Sequence, residues 1–197
     1  IRDVAGDRAP HPGLPHVERL LPPPRSRHAP DAVIAYSENV AMNGRAPLQG
    51  WGPTTNAVTR VLDAGVDRIA SGNPSRNGPH TTAMHEDAHV LRCHKNGSRA
   101  SGTGAAILDV SGRRFGGMNL ISRSALPLPD HPIEVFDRMS ETPTDDVDVH
   151  AESVHEKQGF AWAVDGRAAA VVGTHTHIAT MDTRILPGGT AHVTDVR

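Results

Sequence analysis

Cysteine is almost missing from this chain: Cys93 stands alone among 197 residues. That excludes an internal disulfide and a thiolate cluster for zinc, and it fits a reducing compartment. Long apolar runs are absent too. No stretch approaches the ~20 residues that a membrane-spanning helix needs. The sequence as it stands shows no charged-then-apolar leader, so the expected setting is the cytoplasm, without a membrane. Basic charge is scattered, and the net charge is −2 with histidines neutral. No global basic field therefore argues for a nucleic-acid partner. Aromatics are few: three Phe, two Trp and one Tyr, against 13 His. That imbalance directs attention to ligand clusters.

The segment that stands out is Ala168 to Thr180, AAAVVGTHTHIAT. Its unbroken apolar run fits a strand buried on both faces, as in a parallel sheet. If the backbone stays extended, His175 and His177 share one face. A turn carrying two solvated histidines fits the same spacing. Imidazole is the commonest metal ligand, and open α/β sheets place ligand sites beyond the carboxyl ends of their strands.

Taken in order, the chain alternates strands and helices. Ile1 to Gly6 reads as the tail of a strand and 16–21 as a short helix stopped by Pro22-Pro23-Pro24. Strand candidates follow at 31–36 and 66–70, around an amphipathic helix over 54–64 that Gly65 stops. Residues 75–104 read as a long polar surface excursion that includes Cys93. A hairpin over 105–110 and 114–121, a helix over 132–139 and a strand at 147–150 come next. A helix over 153–165, with Val154, Ala161 and Trp162 on one side, precedes the apolar strand. A hairpin over 183–186 and 191–194, with His192 solvated, ends the chain. Gly116-Gly117-Met118 reads as a strand bend, and Trp51 and Trp162 as packing residues. The pattern predicts one α/β domain over 1–197 with parallel strands. The start at Ile1 and the stop after a strand give the expectation of a fragment, incomplete at both termini.

Seven residues fall where strand candidates end: Asp3, Glu38, Asn39, Asn73, His150, His175 and His177. Three imidazoles, two carboxylates and two amides form a donor set for Fe, Mn or Zn rather than for Ca. Seven ligands suit two ions about 3.5–4 Å apart, sharing a carboxylate, a pair able to lower the pKa of bound water and clamp a phosphoryl group.

The order Asp3-Val4-x-Gly6, Glu38-Asn39, Gly72-Asn73, His150-Ala151-Glu152 and Gly173-Thr174-His175-Thr176-His177 resembles the YmdB-like branch of the calcineurin-like metallophosphoesterases. So do Asp165-Gly166-Arg167 and the run from Thr180 to Ala191. The resemblance spans nearly the whole chain. It is strongest from Asp148 to Asp195 and poor over 75–104. It implies a four-layer α-β-β-α sandwich, here with its C-terminal part truncated, and a dimetal phosphodiesterase using a metal-activated water on cyclic nucleotides or related phosphoesters. It also implies Glu38 as the bridging ligand, Asp3, Asn39 and His177 on one ion, and Asn73, His150 and His175 on the other. The ions would be Fe or Mn, with Zn as an alternative; a homo-oligomer stays open.

The chain also departs from the family. The family motif ends Gly-Asn-His, and that histidine is taken as the proton donor, but here Pro74 follows Asn73. No other residue is assigned a catalytic role. Arg2, Ser122 and residues 92–97 differ as well. An alternative of a different class follows, a catalytically inactive metal- or nucleotide-binding relative with a regulatory role.

Overall fold

The computed structural model describes residues 29–37, 55–72, 87–94, 103–125, 130–140 and 144–196. Their strands form two sheets. In the first, β1 (Ile34–Tyr36), β2 (Arg68–Ala70) and β3 (Val90–Leu91) run parallel in that order. Parallel neighbours need a crossover, and helix α1 (Thr55–Asp63) lies in the one from β1 to β2. Its Val58 and Val61 pack with Ala35, Ile69 and Val90. The chain leaves α1 through Gly65 at φ 101, the left-handed stop expected there.

The second sheet has the order β4-β5-β6-β7-β9-β8. Strands β4 (Ala105–Val110) and β5 (Arg113–Ile121) form the predicted hairpin. Ser111 and Gly112 both have positive φ, as a two-residue hairpin turn requires. Then β5, β6 (Thr144–His150), β7 (Ala168–Thr174) and β9 (Ala191–Val193) run parallel, with β8 (Arg184–Ile185) antiparallel on the edge. Helices α2 (Pro132–Met139) and α3 (Val154–Ala163) cover one face. Phe136 meets Phe160 edge to face, 5.8 Å between centroids, above Val147, Val149 and Val171. Among the described residues no helix is long and apolar enough to cross a membrane.

Polar groups tie the sheets together. Asn119 on β5 is fully buried, and its Nδ2 donates to the Ser71 carbonyl (2.8 Å) and the Leu91 carbonyl (3.1 Å). Its Oδ1 lies 3.2 Å from the Cys93 thiol, which also donates to the Ser71 carbonyl at 2.8 Å. Arg68 on β2 reaches across to the Ala106 and Phe115 carbonyls. A Cβ on residue 117 would stand 1.6 Å from its guanidinium. The glycine expected to bend the strand thus makes room for a buried arginine. Asp146 on β6 is buried as well. Burial raises its pKa to about 7, against the pull of Arg68.

Several expectations are corrected. The polar excursion contains β3, and Cys93 beside it is buried in the inter-sheet network rather than set in a polar loop. The predicted last hairpin forms between β8 and β9, but His192 in it is fully buried rather than solvated, because β9 also pairs with β7. Trp162 is 53% exposed and does not pack in the core. Residues 1–6, expected as a strand tail, 16–21, expected as a helix, and Trp51, expected to pack, lie outside the described residues.

Two stability measurements follow. Gly173→Ala puts a Cβ 1.9 Å from the Thr194 carbonyl oxygen, whereas Gly159→Ala in α3 meets nothing within 4 Å. Urea denaturation should show a loss of about 1–3 kcal/mol for the first and a gain of roughly 0.5–1 kcal/mol for the second; equal effects would contradict the packing. For Asp146, a folded pKa above the unfolded value stabilises the fold below the unfolded pKa. That contribution is lost as pH rises through about 7. Asp146→Asn should therefore gain on the wild type between pH 5 and pH 8, and a pH-independent difference would refute the buried carboxyl's role.

Candidate metal centre

The carboxyl ends of the strands meet at His150. It closes β6, is fully buried, and stands in register with Thr174 at the end of β7. Its Nδ1 lies 2.6 Å from the Tyr36 hydroxyl, at the end of β1 in the other sheet, and 3.2 Å from the Thr174 hydroxyl. Thr174 gives its own proton to Asp148 Oδ1 at 2.7 Å. Its oxygen therefore acts as acceptor towards His150 when Nδ1 carries the proton, and in that tautomer the Tyr36 hydroxyl accepts as well. That leaves Nε2 with the lone pair a metal needs, the usual way an outer partner fixes a ligating imidazole.

His175 follows β7 directly, and its ring stands edge to face with that of His150 at 4.5 Å. Its Nε2 pairs with Glu152 Oε2 at 3.1 Å, and its Nδ1 is buried. Burial holds its pKa below the usual imidazole range, with Glu152 pulling the other way. A half-buried neutral imidazole oriented by a carboxylate suits ligation.

The backbone differs from the extended one that would put His175 and His177 on a common face. The strand ends at Thr174, and His175 and His177 have φ 101 and φ 58. Both lie in the left-handed region, at a cost on the order of 1–3 kcal/mol each. The pair thus sits on a tight turn, but its histidines are half-buried rather than solvated. Asp3, Glu38, Asn39 and Asn73 lie outside the described residues, which run up to Ser37 after β1 and to Gly72 after β2. Among the described residues no three His, Cys, Asp or Glu side chains form a group able to hold an ion. His150 and His175 are brought together; their donor chemistry fits a first-row metal ion.

Sequence reasoning missed the residues that hold these rings. Tyr36, Asp148, Thr174 and Glu152 each sit on or beside a strand end. Thr174 and Glu152 lie within the quoted motifs, and Tyr36 closes a predicted strand; those positions are the signal that could have marked them.

A mixed α/β architecture with two sheets places the chain with phosphoesterase-type structures. It matches a novel phosphatase from Mycoplasma pneumoniae with TM-score 0.83 and 27% identity, covering 98% of this chain and 69% of that one. A hypothetical protein from Thermus thermophilus also gives 0.83, at 34% identity, covering 99% and 73%. The chain belongs to the YmdB-like protein family, which matches residues 3–196. It is 33% identical over 202 residues to the 2',3'-cyclic-nucleotide 2'-phosphodiesterase of Bacillus subtilis (strain 168), covering 100% of this chain and 72% of that protein.

Tyr36→Phe removes the hydroxyl beside His150 Nδ1. Affinity for Mn²⁺, measured by calorimetric titration, should fall about 10–100-fold, the range for a lost outer partner. Unchanged affinity would show that the Tyr36 hydroxyl does not fix the ring.

Proposed function

We propose that the chain carries a dimetal phosphodiesterase centre acting on 2',3'-cyclic nucleotides or related phosphoesters. Asp3, Glu38, Asn39 and His177 would hold one ion and Asn73, His150 and His175 the other, with Glu38 shared. The observation that carries this is the His150–His175 pair, whose rings lie 4.5 Å apart where two adjacent strands end. The cyclic-nucleotide phosphodiesterase activity for which the Bacillus relative, 33% identical across the whole chain, is named supports the substrate class. The same proposal includes a four-layer sandwich in one domain over 1–197. When bound, such ions supply Lewis-acid stabilisation of a phosphoryl group and a nucleophile at neutral pH.

The chain's own residues keep the imidazoles in a ligating form. Tyr36, Thr174 and Asp148 hold the His150 proton on Nδ1, and Glu152 orients His175. Protonation of the leaving oxygen is a separate matter. Pro74 stands where the family motif has its histidine, and a proline has no proton to give. General acid assistance contributes about 10²–10⁴-fold. Turnover should be slow while metal binding persists. Pro74 is also the feature that favours the second reading, an inactive metal- or nucleotide-binding relative.

One experiment separates the two. The chain and its Pro74→His variant are reconstituted with Mn²⁺ and assayed on a chromogenic phosphodiester, with metal content measured on the same samples. Turnover in both, faster in the variant by up to about 10⁴-fold, supports the enzyme. Turnover in the variant alone supports the binder. Less than one ion per chain after reconstitution sinks the metal centre in both readings.

A further inference from the structure

The turn carrying His175 and His177 rests on a buried ion pair. Lys157 of α3 is wholly inaccessible, and its ammonium pairs with the Asp195 carboxylate, itself 2% exposed. The same carboxylate oxygen, Oδ2, accepts the Thr176 hydroxyl at 2.7 Å. Thr176 lies between the two histidines. The backbone around Asp195 is fastened to both ends of the turn. Val196 N–H donates to the Gly173 carbonyl (3.0 Å), and Thr180 N–H donates to the Asp195 carbonyl (3.0 Å). The Asp195 N–H donates to the Thr180 hydroxyl (2.9 Å). Gly173 lets this segment approach, since a Cβ there would meet the Thr194 carbonyl and the Lys157 stem.

Burying a lysine and an aspartate together is weak evidence of stabilisation, because desolvation offsets their attraction. What the pair does supply is a carboxylate that cannot move. Two left-handed residues flanking Thr176 relax unless something holds the residue between them. We infer that Lys157, Asp195 and Thr176 form a positioning relay. The ammonium fixes the carboxylate, the carboxylate fixes the Thr176 hydroxyl, and that hydroxyl holds His175 and His177 in the conformation in which they ligate. This deepens the metal-centre proposal and rests on it for its function; the clamp itself can be tested without metal.

Thr176→Val removes the hydroxyl while keeping the β-branched shape, and Thr176→Ser restores it. Mn²⁺ affinity is titrated calorimetrically in both, in the wild type and in Phe136→Leu, which is destabilised in the core between α2 and α3. The valine variant should keep a cooperative thermal transition and bind Mn²⁺ about 10–100-fold more weakly. The serine variant should return to within about threefold of wild type, and Phe136→Leu should stay there too, within the scatter of an outer-partner change. Amide exchange at residues 178–180 in the metal-free protein should be faster in the valine variant alone. Wild-type affinity in Thr176→Val, or an equal loss in Phe136→Leu, overturns the relay and leaves the metal centre intact. If the wild type binds no Mn²⁺, the metal centre fails and amide exchange decides on the clamp: unchanged exchange in the valine variant overturns it, and faster exchange upholds it.

Discussion

Strands β1 and β6 belong to different sheets, and one hydrogen bond fixes where their ends meet. The Tyr36 hydroxyl lies 2.6 Å from His150 Nδ1, with both side chains buried. Ligand sites in parallel sheets form at carboxyl ends because the loops that leave them converge there. In two sheets those ends share backbone register only at a single parallel bridge among the described residues, between His94 just past β3 and Leu120 of β5. Side chains do the rest. Tyr36 aligns β1 with β6, and Asn119 aligns the exits of β2 and β3 with β5 through the Ser71 and Leu91 carbonyls. With Arg68 and Cys93, these contacts hold the strand ends of the two sheets together.

The buried charges follow the same logic. Arg68, Asp146, Lys157 and Asp195 are each at most 6% exposed. Replacing such groups with apolar ones is often neutral or stabilising, so packing alone gives no reason for them. Position does. Arg68 spans from β2 to two carbonyls of the β4–β5 hairpin, and a bare glycine backbone at 117 leaves the space it fills. Lys157 reaches from α3 to the segment under the histidine turn, past a second bare glycine at 173. In both places a long cation crosses between elements, and a glycine on the strand it crosses lets it through. Aliphatic side chains could fill these volumes but could not choose one partner atom.

Much of this fold was legible in the sequence. The hairpin turn at Ser111-Gly112, the stop of α1 at Gly65 and the apolar strand before the histidines all follow from local chemistry. The misses share a cause. In α3 the buried stripe is Lys157, Phe160 and Ala161, so a lysine occupies a core position and hides the period. Trp162 then reads as inward when it is exposed. Strand β3 has only two residues and no alternation to reveal it. His192 reads as solvated only while β9 is taken for half of a hairpin; its second neighbour, β7, is set by tertiary pairing. In the site, the histidine spacing was visible but the left-handed turn was not. The residues that impose that turn lie about twenty positions away on either side, at 157 and 195.

The proposed separation of binding from turnover has a structural basis. Metal affinity in a site of this kind depends on imidazoles kept neutral, oriented and partly strained into place. The described groups that do this are Tyr36, Asp148, Thr174, Glu152 and the Lys157–Asp195 pair. All act on His150 or on the turn after β7. Pro74 follows a different strand, β2. On the proposed mechanism, the absence of a proton donor there withholds about 3–5 kcal/mol of transition-state stabilisation at most, by the usual range for general acid catalysis. None of that energy is drawn from the network around His150, because a leaving-group proton is required only once the phosphoester is already bound. A chain with this arrangement can therefore keep an intact ligand cradle while its rate changes by orders of magnitude. On the proposed mechanism, residue 74 sets the rate, and the cradle sets whether there is a site at all.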